Sequence, residues 1–150
     1  MEENTTKAPW HLWIVGILAT LWNAFGANDY TQTQMGNRDY FAMMGFEPST
    51  IDMALRYFGE MPAWADAAWA LGVWGGLAGS ILLLVRSRWA IAAFGASILG
   101  VAGSWIFQWQ ATLPPELAEL NSPAMFAVIS VIALLLFWYA QRMRRGGVLR

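Results

Sequence analysis

Two short clusters concentrate the groups of this chain that could do chemistry: "NDY", Asn28, Asp29 and Tyr30, and "NRDY", Asn37, Arg38, Asp39 and Tyr40. With Gln32 and Gln34 they supply donors, acceptors, a guanidinium and aromatic faces, the mixture a polyol or sugar site uses. Asp29 and Asp39 also form a pair of carboxylates, but acid/base work at a glycosidic bond needs them at a defined separation across a cleft. The same residues have a plainer use, because Asn and Asp bond nearby backbone and Arg38 can pair with an adjacent acid. Asn28, Asp29, Tyr30, Arg38 and Asp39 are therefore candidates both for ligand or partner binding and for a self-satisfied structural cap.

Other chemistries find little material. The absence of cysteine excludes disulfides, thiolate metal sites and iron–sulfur clusters. The single histidine, His11, cannot supply two axial imidazoles to a haem. It stands between Trp10 and Trp13, where an interfacial polar anchor is the expectation. No nucleophile motif, metalloprotease motif or phosphate-cradling glycine loop occurs. No enzymatic activity, cofactor or metal site is expected. A formal net charge of -1, with a basic cluster only in "QRMRRGGVLR", gives no basis for nucleic-acid binding.

The elements that must position these residues follow from composition. In 150 residues, 57% are hydrophobic and 13% charged, a balance that points to a bilayer and to one domain spanning residues 1–150. Apolar runs at about residues 10–28, 64–85, 89–109 and 123–140 each approach the ~20 residues that a helix needs to cross ~30 Å of hydrocarbon. Continuous rather than alternating runs predict helices, so the fold class is an all-α integral membrane four-helix bundle. The leader before the first run is only weakly basic and contains Glu2 and Glu3, which favours a retained helix over a cleaved signal.

Orientation follows from the loops. Arg86 and Arg88 lie between the second and third spans, and Arg142, Arg144, Arg145 and Arg150 follow the fourth. The loop before the fourth span has only Glu116 and Glu119. Both termini are expected on the cytoplasmic side, and the segment 29–63 outside. Tryptophans fit this placement: Trp10, Trp13, Trp89 and Trp138 as an inner belt, and Trp64, Trp69, Trp105 and Trp109 as an outer one. Trp22 and Trp74 are left for deeper packing.

Small residues predict how the helices meet. Span two places Ala68, Gly72, Gly75 or Gly76, and Gly79 along one side; span three offers Ala92, Ala96, Gly100 and Gly103 or Ser104. Joined by the short "RSR" turn, the two stripes are expected to face each other at close backbone approach. Span one recurs as Gly16, Thr20, Asn23 and Ala27. Asn23 should point away from lipid, into an interhelical hydrogen bond or toward a ligand. Span four lacks glycine, starts with Ser122 and Pro123, and is the candidate for the most lipid-exposed helix.

The outer segment 29–63 is long for a bundle connection and should carry structure. Its second half, "EPSTIDMALRYFGEMP", predicts a short amphipathic helix capped by Ser49 and ended by Gly59. Ile51, Ala54, Leu55 and Phe58 share one side of it, which should lie on the membrane surface or over the bundle mouth. Asp66 is expected to sit structurally at the start of span two.

The segments "PWHLW…LWNAFGANDYTQT" and "PAWADAAWALGVWGGLAGSILLLVRSRWA", most of residues 9–90, resemble a family of small bacterial four-span inner-membrane proteins sometimes labelled sugar transporters. The resemblance implies a bacterial inner membrane and, more loosely, transport; it brings no catalytic residues. Two functions are therefore expected in competition. One is a non-enzymatic accessory or scaffold protein, in contact with membrane lipid, that packs against a larger membrane complex or its own copies. The other is a small-solute transporter or binding protein acting as an oligomer.

Overall fold

The computed structural model describes residues 7–118 and 122–150; Glu2, Glu3 and Glu119 lie outside them. Helices run as α1 (Trp10–Gln34), α2 (Arg38–Met43), α3 (Pro48–Gly59), α4 (Ala63–Leu84), α5 (Ala90–Gln110) and α6 (Pro123–Arg145), with a 3-10 turn at Pro115–Leu117 before α6. No strand occurs among the described residues. α1, α4, α5 and α6 are each long and apolar enough to cross a membrane. The fold is an all-α four-helix membrane bundle.

Two helices outrun their apolar segments. α1 continues past residue 28 to Gln34, so Asn28, Asp29 and Tyr30 stand on a helix and not in a loop. Nothing between Ala27 and Gln34 breaks it, and a one-turn side-chain pair supports the polar extension: Gln32 Nε2 donates to Asn28 Oδ1 at 3.4 Å. Gly36, at φ 62°, ends it. α6 likewise continues past residue 140 to Arg145, where Gly146 caps it. A third boundary corrects the expected cap of α3. The helix starts at Pro48 with Glu47 before it, so Ser49 lies inside the first turn and caps nothing. Proline claims the first helical position because it has no N–H to lose there.

α4 packs between α1 and α5, and α5 also receives α6. The α4–α5 seam is built on missing side chains. A Cβ on Gly75 would lie 2.9 Å from Ser97 N and 3.0 Å from Ala93 O, and one on Gly103 would meet Ala68 Cβ at 2.7 Å. Gly79 receives the ring of Phe94, and Gly72 faces Gly100 and Val101. The α5 stripe therefore runs through Ala93, Ser97, Gly100 and Gly103. The expected Ala92 is exposed and Ala96 only half-buried, one residue off the seam. On the other side of α4, Gly16 of α1 receives Leu84, and Ala19 and Ala27 are buried. Van der Waals contact of this kind holds spans together in lipid, where burial from water contributes nothing.

α6 buries only Leu136, Ala140 and Met143, all in its C-terminal half, and turns Met125, Val128, Val131, Leu134 and Leu135 outward. Its buried half joins Leu12, Leu83, Ala90 and Phe94 in the core at one end of the bundle. The tail closes that end. Arg150 N donates to Arg86 O at 2.8 Å and Arg88 N to Arg150 O at 2.6 Å, which inserts Val148 and Leu149 into the core. We call this the tail end. His11 also lies here, sharing a 2.6 Å hydrogen bond with the Tyr139 hydroxyl that ties α1 to α6.

A second core closes the opposite, lid end. Phe41 of α2, Ile51 and Ala54 of α3, and Leu117 of the 3-10 turn are buried together, with Leu55 and Phe58 packed around them. α3 thus lies over the bundle mouth on the face expected. Phe58 stacks on Trp69 of α4 at 5.4 Å, and Tyr57 meets Phe107 of α5 at 6.2 Å. Trp69 is therefore a lid contact, and Trp105 donates from Nε1 to Ser130 Oγ of α6 at 2.8 Å. Trp22 and Trp74, expected in deeper packing, point outward at 38% and 48% exposure. The glycine seams bring the helices too close for an indole between them.

Candidate functional site: the polar cap and the α1–α4 seam

The candidate residues fall into two groups at different depths. The shallow group crowns α1. Tyr40 OH donates to Asp29 Oδ1 at 2.9 Å, joining α2 to the last turns of α1. Tyr30 OH donates to Asp66 Oδ1 at 3.3 Å, and Gln34 Nε2 donates to the same oxygen, joining α1 to the first turn of α4. Asn37 caps α2, its Oδ1 accepting from Tyr40 N at 3.4 Å while its Nδ2 donates to Gln32 Oε1 at 2.7 Å. Arg38 pairs with Asp52 of α3 and not with the adjacent Asp39. Asp39 is exposed in the first turn of α2, where its charge faces the positive end of the helix dipole.

The two acids that could have formed a catalytic pair are thus engaged separately, one by a phenol and one by a helix terminus. Asn28, Asp29, Tyr30 and Arg38 each bond a neighbour of the fold. They do not bond one another. Sequence reasoning named these residues and missed their partners, because Asp52 and Asp66 lie on later helices that only the tertiary fold brings back. α2 and its cap by Asn37 were not expected; the available signal was an Asn followed by an acid in what becomes the first turn.

The Tyr40–Asp29 bond has an electrostatic signature. Burial first, then the hydrogen bond to Asp29 and its negative charge, push the Tyr40 phenol up to about 12 from 10.0. A raised folded value means that the neutral phenol stabilises the cap fully below pH 10 and that this contribution is lost as pH rises through about 12. The ultraviolet difference titration of wild type minus Tyr40→Phe should accordingly show one tyrosinate forming near pH 12. A midpoint at the ordinary phenol value would mean that Tyr40 is neither buried nor bonded to Asp29.

The deep group lies within the bilayer span. Asn23 Nδ2 donates to Ala19 O at 2.9 Å and across the seam to Ser80 Oγ at 3.0 Å. Ser80 is fully buried and its Oγ donates in turn to Gly76 O at 2.8 Å. Asn23 Oδ1 rests against Gly76, whose missing side chain makes the approach possible. One layer on, Ser97 Oγ of α5 donates to Gly72 O at 2.6 Å. The chain Asn23–Ser80–Gly76 with Ser97–Gly72 joins three spans through bonds the protein makes with itself. Ser80 and Ser97 were not named from sequence; their place in the small-residue stripes was the available signal.

A double-mutant cycle measures this glue. Asn23→Ala and Ser80→Ala should couple by about 0.6 kcal/mol, and by no more than about 1.7, the range for interhelical hydrogen bonds in membranes. Additive effects on unfolding in detergent would show that Asn23 does not work through Ser80.

The open spaces lie elsewhere. A shallow groove of about 160 Å³ runs between α5 and α6, lined by Ile98, Val101, Trp105, Ser130 and Leu134 among others, and is almost wholly apolar. A second, of about 250 Å³, lies between the end of α5 and the start of α6, against Trp105, Trp109 and Pro123. Neither is lined by a residue of the cap or by Asn23. No protein-family model, curated protein or solved structure matches the chain.

Proposed function

We propose that this is a non-enzymatic accessory or scaffold protein of a bacterial inner membrane, docking through its helix faces onto a larger membrane complex or onto further copies of itself. The observation that carries the reading is where the polar groups go. Asp29 and Tyr40, Tyr30 and Asp66, Arg38 and Asp52, and Asn23 and Ser80 engage one another, while the outward faces keep large side chains, including Trp22 and Trp74 far from either interface. A polar network closed on itself and an aromatic surface directed outward suit a protein whose work is contact.

Both termini are placed on the cytoplasmic side in this proposal. Its support is charge: Arg86, Arg88, Arg142, Arg144, Arg145 and Arg150 gather at the tail end, and a cytoplasmic excess of Arg and Lys sets orientation. The lid then faces outward. Purification in a gentle detergent followed by mass spectrometry of bound proteins tests the function. A stoichiometric membrane partner or a stable homo-oligomer is the expected result; a monomer alone, at every detergent concentration that preserves helicity, refutes it.

A further inference from the structure

The two ends of the bundle differ in more than sign. At the lid end, both cations have carboxylate partners: Arg38 pairs with Asp52, and Arg56 with Glu60 at 2.9 Å. At the tail end, Arg88, Arg142, Arg144 and Arg145 are all exposed, and no ion pair reaches them among the described residues. Every described acid, from Asp29 to Glu116, lies on the last turns of α1, in the lid, on the first turn of α4 or between α5 and α6, on the far side. The positive charge here is not compensated by the fold.

These arginines also stand on apolar ground. Leu134, Trp138, Arg142 and Arg145 recur at three- and four-residue intervals and share one face of α6. Leu134 and Trp138 are each 55% exposed, and the Arg142 guanidinium lies over the Trp138 ring at 5.7 Å. At the far end of the stripe, Leu134 lines the apolar groove against Ile98 and Val101 of α5. From Leu134 to Arg145 the helix rises about 16 Å, the depth of one leaflet of a ~30 Å hydrocarbon core.

We propose that this face of α6 is a binding site for an anionic glycerophospholipid. Its phosphate sits between Arg142 and Arg145. Guanidinium forks suit phosphate oxygens, and an arginine held over an indole is already oriented. Its acyl chain descends past Trp138 to the groove at Leu134. The charge chooses an anionic headgroup, and the apolar stripe of one leaflet's depth chooses a lipid over a soluble phosphate. Neither Arg142 nor Arg145 has to abandon a carboxylate to bind it.

Native mass spectrometry of the detergent-solubilised full chain, offered equal amounts of phosphatidylglycerol and phosphatidylcholine with identical acyl chains, tests the site. Wild type should retain the anionic lipid about fivefold to thirtyfold better, the preference expected from one or two arginines near an anionic surface. R142Q/R145Q should lose that preference and keep its helicity, and R38Q/R56Q at the lid end should leave it unchanged. Equal retention of the two lipids by wild type overturns the proposal without reference to any variant. So does an unchanged preference in folded R142Q/R145Q. Displacement of phosphatidylglycerol by inorganic phosphate at matched concentration would assign the arginines to a soluble anion and overturn the lipid.

Discussion

Gly100→Ala is expected to be the most damaging methyl group that can be added to this protein. The new Cβ would lie 2.5 Å from Ala68 O and 2.7 Å from Gly72 Cα, closer still to Gly72 N, and all three are backbone atoms of α4. A flexible side chain could rotate away; a helix backbone cannot. α4 and α5 must separate along the seam, which also pulls Ser97 from Gly72 O and leaves that buried hydroxyl without its acceptor. Overpacking costs about 1–3 kcal/mol where side chains can adjust, so a loss at or above ~3 kcal/mol is expected. Alanine's better helix propensity, worth about 1 kcal/mol at most, does not offset it.

The same substitution elsewhere should be harmless. A Cβ on Gly26 would meet only Val73 Cγ1 at 3.8 Å, and one on Gly95 only Phe137 at 3.7 Å, both ordinary contacts. Gly26→Ala and Gly95→Ala are expected within about 1 kcal/mol of wild type, on the stabilising side if the helix preference is felt. Unfolding by a strong detergent, followed by circular dichroism, ranks the three. A Gly100→Ala protein as stable as Gly26→Ala would mean that the α4–α5 seam is not closed at backbone contact.

These glycines also mark how far sequence reasoning reaches. The stripe Gly72, Gly76, Gly79 was readable because small residues at helical spacing have one common use in lipid, and its partner was readable from the short turn at Arg86–Arg88. The phase of the partner was not. Ala92 and Ala93 are both alanine, and only the packing of Phe94 into Gly79 decides that the seam passes through Ala93 and Ser97. Span lengths were legible for the two middle helices and short for α1 and α6, whose ends continue as polar helix beyond the apolar run. Hydropathy finds where lipid stops, and a helix stops where a breaker such as Gly36 or Gly146 stands.

At the cap, residue types were legible and partners were not. Asp29 and Tyr40 are eleven positions apart across a helix end and a turn, and Arg38 and Asp52 belong to two lid helices whose angle no local pattern encodes. Asn23 was readable as inward-facing from the free-energy cost of an amide in lipid alone. Its choice of Ser80 required knowing that α4 presents Gly76 beside it. The tail insertion of Val148 and Leu149 was invisible, since two apolar residues amid arginines carry no periodicity.

Phe41→Ala should open the lid and leave the four spans standing. Phe41 is 2% exposed at the centre of the second core, and deleting a buried phenylalanine to alanine costs about 3–5 kcal/mol. That core lies outside the apolar spans, where burial from water is the driving force, whereas the spans hold together by packing and interhelical hydrogen bonds that Phe41 does not touch. The remaining ties are weaker. The exposed Arg38–Asp52 pair contributes ~0–1 kcal/mol and the Tyr40–Asp29 bond about 1. Amide hydrogen exchange across α2 and α3 should therefore speed by about a hundredfold or more, 1.4 kcal/mol corresponding to each factor of ten. The unfolding midpoint of α1, α4, α5 and α6 should stay within error of wild type. If the spans lose stability in parallel, the ring contacts of Phe58 with Trp69 and of Tyr57 with Phe107 couple lid to bundle into one cooperative unit, and the two cores are thermodynamically one.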